Sequence, residues 1–338
     1  MNSARAAAVI LFAAITLYAV FGGADFGAGF WDLVAGGAER GARPRALAEH
    51  AIAPVWEANH VWLIFALVIL WTAFPTAFAS ITLTLFVPLS LAAIGIVLRG
   101  SGFAFRKVTL RTSRRRLLGA TFAFSSVIVP FSMGTIAGAI ASGRVPNGGQ
   151  AGDTWSSWVN PTSLLGGVLA VAACAYLASV YLVADAHRLD DPELESYFRR
   201  RAVGTAVVAG AVALVGIFVL RNDATYLYDQ LTSQALPLVV VSALAGLAAL
   251  ALVLRGVHRY ARFAAAVAVA TVILGWGVAQ WPYILPQSLT VEDAAAPSGT
   301  LNALFAVFGI AAVTVVPSLI LLYVLDQRTV LDPEASQH

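Results

Sequence analysis

Asp25, Glu57, His60 and Arg99 are ionisable side chains set in stretches that otherwise hold little that is polar. An ionisable group in the middle of a membrane-spanning helix costs at least about 2.5 kcal/mol, so one that is retained is a functional candidate. The densest group is PVWEANHVWLI at 54–64, where Glu57, Asn59 and His60 follow Trp56 and precede a run of apolar residues. Two chemistries fit it. A carboxylate partly withdrawn from water has a raised pKa and exchanges protons near neutrality, which suits a proton relay. The plainer reading is structural. Pro54 suits a first helical turn, a carboxylate there is favoured by the helix dipole, and His60 lies three residues from Glu57, within reach on the same face.

Composition says what must position these groups. The chain has 338 residues, 59% hydrophobic and 12% charged, about half the charge of a soluble domain of this length. Apolar runs of about 18 or more residues recur, each long enough to cross a bilayer. The sequence predicts an all-α, polytopic integral membrane protein with nine transmembrane helices, at about 6–30, 53–74, 77–98, 117–141, 163–184, 202–220, 236–254, 262–281 and 303–325. The whole of 1–338 reads as one membrane domain, compatible with two four-helix bundles plus one helix. The longer loops, 142–162 and 282–302, carry no sign of a soluble domain.

Charge tests the count of nine. Of the 21 lysines and arginines, all but Arg5, Arg144 and Arg221 fall in the odd-numbered connections or the C-terminal tail. The positive-inside rule then places those connections and the C-terminus in the cytoplasm and the N-terminus outside. Arg5 ahead of AAAVILFAAITLYAV resembles a signal peptide, but the apolar stretch runs on into FGGADFGAGFW without a cleavage site. Tryptophans fall near both faces: Trp31, Trp56 and Trp62 inside, Trp71, Trp155, Trp158, Trp276 and Trp281 outside, as an aromatic belt would. The net charge of +3 belongs to this topology and does not signal nucleic acid.

In this arrangement Asp25, Glu57, His60 and Arg99 come from three spans to one depth near the cytoplasmic face. Several chemistries are disfavoured. Cys174, the single cysteine, excludes a disulfide framework and a cysteine metal cluster. Intramembrane haem needs facing His or Met ligands, and His50, His187 and His258 fall in basic loops while His338 ends the tail. His60 and Met133 are the remaining, unpromising pair. HExxH, P-loop and dinucleotide fingerprints are absent from the sequence. The expectation is no cofactor and no metal in this chain. GGADFGAG at 22–29 reads as a place where helices approach closely.

Several blocks resemble subunit II of the cytochrome bd-type quinol oxidases. GGADFGAGFWDL is similar to the family's DGFDLGVGML, and AIAPVWEANHVWLIFA to its NxIGPVWDGNEVWLI. FPTAFASI, LRGSGFAFRK, VNPTSLLGG, WPYILPQSLTV and VVPSLILLYV match further blocks in the same order over nearly the whole chain. The resemblance implies a haem-free, nine-helix subunit paired with a subunit I that carries haem b and haem d groups. The heterodimer would oxidise quinol at the outer face, reduce oxygen to water and take its protons from the cytoplasm. Small accessory subunits, and a quinone or lipid held between the helices, are compatible with it. Glu57 stands at the family's proton-path acid and Asp25 at the second acid of DGFDLG, with His60, Asn59, Trp56 and Arg99 in support.

The departures from the pattern bear on that path. Gly22 and Ala104 replace acids often found in the family, Glu57 replaces Asp, and His60 stands where Glu or Gln is common. Against the family pattern this implies a divergent branch whose path is rewired, shortened or shared more heavily with subunit I. Two rival readings are a proton-coupled secondary transporter, suggested by intramembrane acids in Gly/Pro-interrupted helices, and a purely structural membrane subunit.

Overall fold

The computed structural model describes residues 2–37, 39–52, 56–108 and 112–327; the side chains at 52, 56–58, 103, 106–108, 112–118, 323, 326 and 327 lie outside that description. Twelve helices and one short hairpin make up its regular structure. The long helices are α1 (Ser3–Val34), α3 (Trp56–Ala73), α5 (Phe86–Val108), α6 (Thr112–Ala141), α7 (Pro161–Arg188), α8 (Pro192–Asp223), α10 (Leu236–Leu254), α11 (His258–Gln280) and α12 (Ser298–Gln327). Shorter ones are α2 (Ala42–Ile52), α4 (Pro75–Thr84) and α9 (Thr225–Leu231). The antiparallel strands β1 (Tyr283–Leu285) and β2 (Leu289–Thr290) join α11 to α12. Among the described residues, seven helices are long and apolar enough to cross a membrane, or eight if α3 and α4 form one broken span.

Local chemistry sets several boundaries. Asn160 and Asp191 cap α7 and α8 by accepting from the backbone N–H of Ser163 at 2.9 Å and of Leu194 at 3.0 Å. Pro161 and Pro192 follow, where a missing N–H costs nothing. α8 therefore starts well ahead of the apolar stretch expected from 202, through PELESYFRRR, whose Glu193 and Glu195 suit a helix N-terminus.

The stretch 77–98, read from sequence as one span, is divided. α4 ends at Thr84 and α5 begins at Phe86, and α4 leaves α3 at a bend of 116°. The bend falls at Phe74, with φ −134° and ψ 60°, because a residue preceding proline is pushed out of helical geometry. Hydropathy records apolar content and not direction, so it merges α4 with the helix that follows.

The two sets of connections separated by charge meet at opposite ends. At one end Arg5 pairs with Glu292 at 2.8 Å and Arg144 with Asp223 at 2.6 Å. There, too, the backbone N–H groups of Gly149 and Gly152 donate to Ser80 Oγ and Thr84 Oγ1 of α4, both at 2.9 Å. At the other end Arg43, opening α2, reaches Asp191 at 2.6 Å and also Glu193. The basic stretch at 106–118 and Arg328 lie outside the described side chains.

α1 runs through the middle and packs on α3, α6, α7 and α11. Small residues let it do so. A Cβ on Gly27 would lie 1.8 Å from the Cys174 carbonyl oxygen of α7, and one on Gly134 of α6 would lie 2.2 Å from the Gly166 carbonyl oxygen of α7. Without a hydrophobic drive between helices in lipid, such backbone approach supplies van der Waals attraction. α8, α10 and α12 instead turn apolar side chains outward, among them Phe218, Leu244 and Ile310.

Candidate functional site

Asp25 lies on the inward face of α1, one turn before Gly29, and Arg99 lies inside α5. Each side chain is 1% exposed, and Arg99 Nη2 donates to Asp25 Oδ1 at 2.6 Å. The same nitrogen donates to the Asp25 carbonyl oxygen at 2.9 Å, while Nη1 donates to Ser126 Oγ of α6. Phe26 and Phe122 place their rings 4.8 and 4.3 Å from the guanidinium carbon. Gly29 makes room, since a Cβ there would lie 2.7 Å from Arg99 Nη1. Arginine is the side chain for this position: its planar fork satisfies several acceptors at once and its faces stack on aromatic rings. Charges this deeply withdrawn from water are tolerable only when paired, although Arg99 Nε has no hydrogen-bond partner among the described residues.

One oxygen is left over. Asp25 Oδ2 is buried and has no hydrogen-bond partner among the described residues. The carboxylate is thus anchored on one side and open on the other.

α3 brings the next group. Asn59 Nδ2 donates to the Phe21 carbonyl oxygen of α1 at 3.3 Å. The His60 ring packs edge-on against Tyr18 and Phe26, with centroids 6.2 and 6.1 Å away. Asp25, Arg99, Asn59 and His60 are therefore drawn around the Tyr18–Phe26 segment of α1. Trp56 and Glu57 stand in the first turn of α3, and their side chains lie outside the described residues. Gly22 faces Tyr18 of its own helix, and Ala104 is exposed. Phe26, Val129 and Cys174 form a buried apolar cluster beside the pair, with Tyr18, Ile96 and Met133 packed against it.

Three residues read as belt or loop positions have other places. Trp31 is buried and its indole N–H donates to the Ala175 carbonyl oxygen of α7 at 2.9 Å. His187 and His258 stand at the ends of α7 and α11 with ring centroids 4.5 Å apart. Ser126, Phe26 and Phe122, which complete the arginine's surroundings, carry no charge and gave no signal against an apolar background.

A family model described as cytochrome bd terminal oxidase subunit II matches residues 4–326. The chain belongs to that family. It is thus a subunit of an oxygen-reducing oxidoreductase, and the secondary-transporter reading falls away. Among relatives, the chain is 27% identical over 349 residues to the cytochrome bd-I ubiquinol oxidase subunit 2 of Escherichia coli K12, covering 90% of this chain and 88% of that one. A second, shorter match is to the cytochrome bd ubiquinol oxidase subunit 2 of Bacillus subtilis strain 168, 27% identical over 153 residues, 45% of this chain and 44% of that one. The fold is shared with a chain of the bd oxidase of Geobacillus thermodenitrificans, with a TM-score of 0.81, 24% identity and coverage of 96% and 98%. For a member of this family, the buried Asp25–Arg99 pair supplies a fixed charge arrangement within the helix bundle.

Proposed function

We propose that this chain is the haem-free member of a quinol:oxygen oxidoreductase complex, and that it carries protons from the cytoplasm towards the haems of a partner subunit I. The nine long helices among the described residues act as nine crossings of one membrane domain, with the N-terminus outside and the C-terminus in the cytoplasm, in the plasma membrane of a bacterium. The partner holds the haem b and haem d groups, which supply the electron transfer and oxygen chemistry. This chain supplies acids, fixed charges and a sealed helix bundle.

The observation that carries the reading is the two-sided state of Asp25. Arg99 fixes one oxygen, while Oδ2 is buried and open among the described residues. An acid that passes a proton inward needs an oxygen that can take and release it without dismantling its support. Glu57 opens α3 on the cytoplasmic side in the proposed topology and is the entry acid. His60 and Asn59 shape the ground between the two.

Glu57→Gln tests this. It keeps the size and most hydrogen bonding of the side chain, so a mere cap would survive within about 1 kcal/mol. The proposal expects normal assembly and haem content, with quinol-dependent oxygen uptake lower by roughly tenfold or more, and much of the activity kept in Glu57→Asp. Near-normal uptake by the Gln variant would make Glu57 a structural residue.

A further inference from the structure

The end of the molecule that carries Arg43 and Asp191 holds a second cluster, built from α7, α8 and α11 and separate from Asp25 and Arg99. The stretch DAHRLDDPELE makes it. Asp190 takes a φ of +50°, Asp191 caps α8 and Pro192 starts it, so the chain reverses at once and His187 faces Glu195. His187 Nδ1 lies 3.1 Å from Glu195 Oε2. His258, opening α11, places Nε2 3.3 Å from Glu195 Oε1. One ligand atom from each of the three residues lies within 4.8 Å of the others.

Two imidazoles and a carboxylate are the donor set of many zinc centres. Bonds of about 2.0–2.1 Å in a tetrahedron separate neighbouring ligand atoms by roughly 3.3 Å. The two histidine–glutamate distances are close to that value but run to different oxygens, Oε2 and Oε1, so a cation is accommodated by a turn of the carboxylate together with a tightening of the edge between the histidines. Most of the nearby cations are paired, and Arg199 also acts on His258. Arg188 and Arg262 are drawn to Asp185, at 2.5 and 3.7 Å, and Arg43 is held by Asp191 and Glu193. His258 is 9% exposed and forms the floor, while exposed His187 leaves a side open for entry and for water. His258 Nδ1 has no hydrogen-bond partner among the described residues.

We propose that His187 Nδ1, the Glu195 carboxylate and His258 Nε2 bind one divalent transition-metal cation, Zn2+ by the nature of the donors, with water completing the tetrahedron. The cation ties α7, α8 and α11 together at this end.

The test uses the purified, untagged complex, stripped with chelator and dialysed against Zn2+. Haem dominates the visible spectrum, so bound zinc is counted by mass spectrometry and its ligands are read by X-ray absorption at the zinc edge. The wild type should hold one equivalent more than the His187→Ala/His258→Ala variant, with scattering from two imidazoles, and Zn2+ should raise its heat midpoint alone. Glu195→Gln, which keeps the side-chain shape, should weaken binding by about tenfold or more. Equal zinc content in the wild type and Glu195→Gln at limiting metal, or zinc without imidazole scattering, would overturn the proposal. If the histidine variant does not assemble, Glu195→Gln decides by the same count.

Discussion

Arg99 and Asp25 stand 74 residues apart in sequence and meet at 2.6 Å, each side chain 1% exposed, where α1, α5 and α6 come together. Neither charge has water to fall back on, so each is tolerable only because of the other. Removing one partner of such a pair costs on the order of 3–5 kcal/mol, whereas replacing both with apolar or neutral groups is often neutral.

Asp25→Asn alone should therefore lower the heat midpoint and yield of the complex, and Arg99→Met alone should do the same. The double variant Asp25→Asn/Arg99→Met should recover most of that stability. Oxygen uptake separates structure from relay: it should stay low in the double variant despite the recovered fold. Uptake that recovers together with stability would confine Asp25 to a structural role.

His60 packs edge-on against Tyr18 and Phe26. His60→Ala should cost about 1–3 kcal/mol through lost packing and leave every haem signal of the complex in place. Pyridine haemochrome analysis checks it, and the loss of one haem would make the chain a ligand donor.

The approach of α1 to α7 at Gly27 leaves no room for a methyl group, since a Cβ would meet the Cys174 carbonyl oxygen at 1.8 Å. Gly27→Ala should force the helices apart and cost about 1–3 kcal/mol or more. Gly204→Ala, in α8 with open space around it, should be neutral or stabilise by up to about 1 kcal/mol. Heat midpoints of the two variants, measured side by side, give the comparison.

Topology is tested by thiol labelling of intact cells in a Cys174→Ser background. Ser156→Cys, on the exposed 142–160 connection, should react with an impermeant reagent. Arg259→Cys, exposed at the start of α11, should react only after the membrane is opened. The opposite pattern would invert the molecule and move the proton entry to the outer face.

Asp191 has its carboxyl held below the usual range, first because the Leu194 N–H donates to it and next because Arg43 does. A carboxylate with a lowered folded pKa contributes stability that is complete above its unfolded value of about 3.9 and lost as pH falls through the folded one. The gap in heat midpoint between the wild type and Asp191→Ala should therefore be constant near neutral pH and close on acidification below about pH 4. A gap that widens in acid would assign the cap to another group.

Much of this arrangement was legible before the fold was known. Asp25 and Arg99 stood out because charge is costly in apolar segments, and counting the connections placed them at one depth. Ser126 and Phe122 did not, because uncharged residues look alike on every face of a buried helix. α4 escaped because its composition matches a span while its direction is set by Pro75. His187, Glu195 and His258 escaped for a different reason. The two histidines were weighed alone as loop residues and Glu195 was not weighed at all, although the Asp191–Pro192 helix start already brought His187 and Glu195 onto neighbouring helices.

The distance in sequence between Asp25 and Arg99 has a consequence for how the chain is made. α1 is synthesised first, yet the guanidinium that neutralises Asp25 follows 74 residues later. At about 5–20 residues per second the nascent chain waits roughly 4–15 s with an acid in its first helix and no counter-charge. During that interval α1 has to stay beside the insertion machinery or lean on an existing partner. Release of α1 into lipid is thereby tied to the arrival of α5, which makes the buried pair a checkpoint in biogenesis.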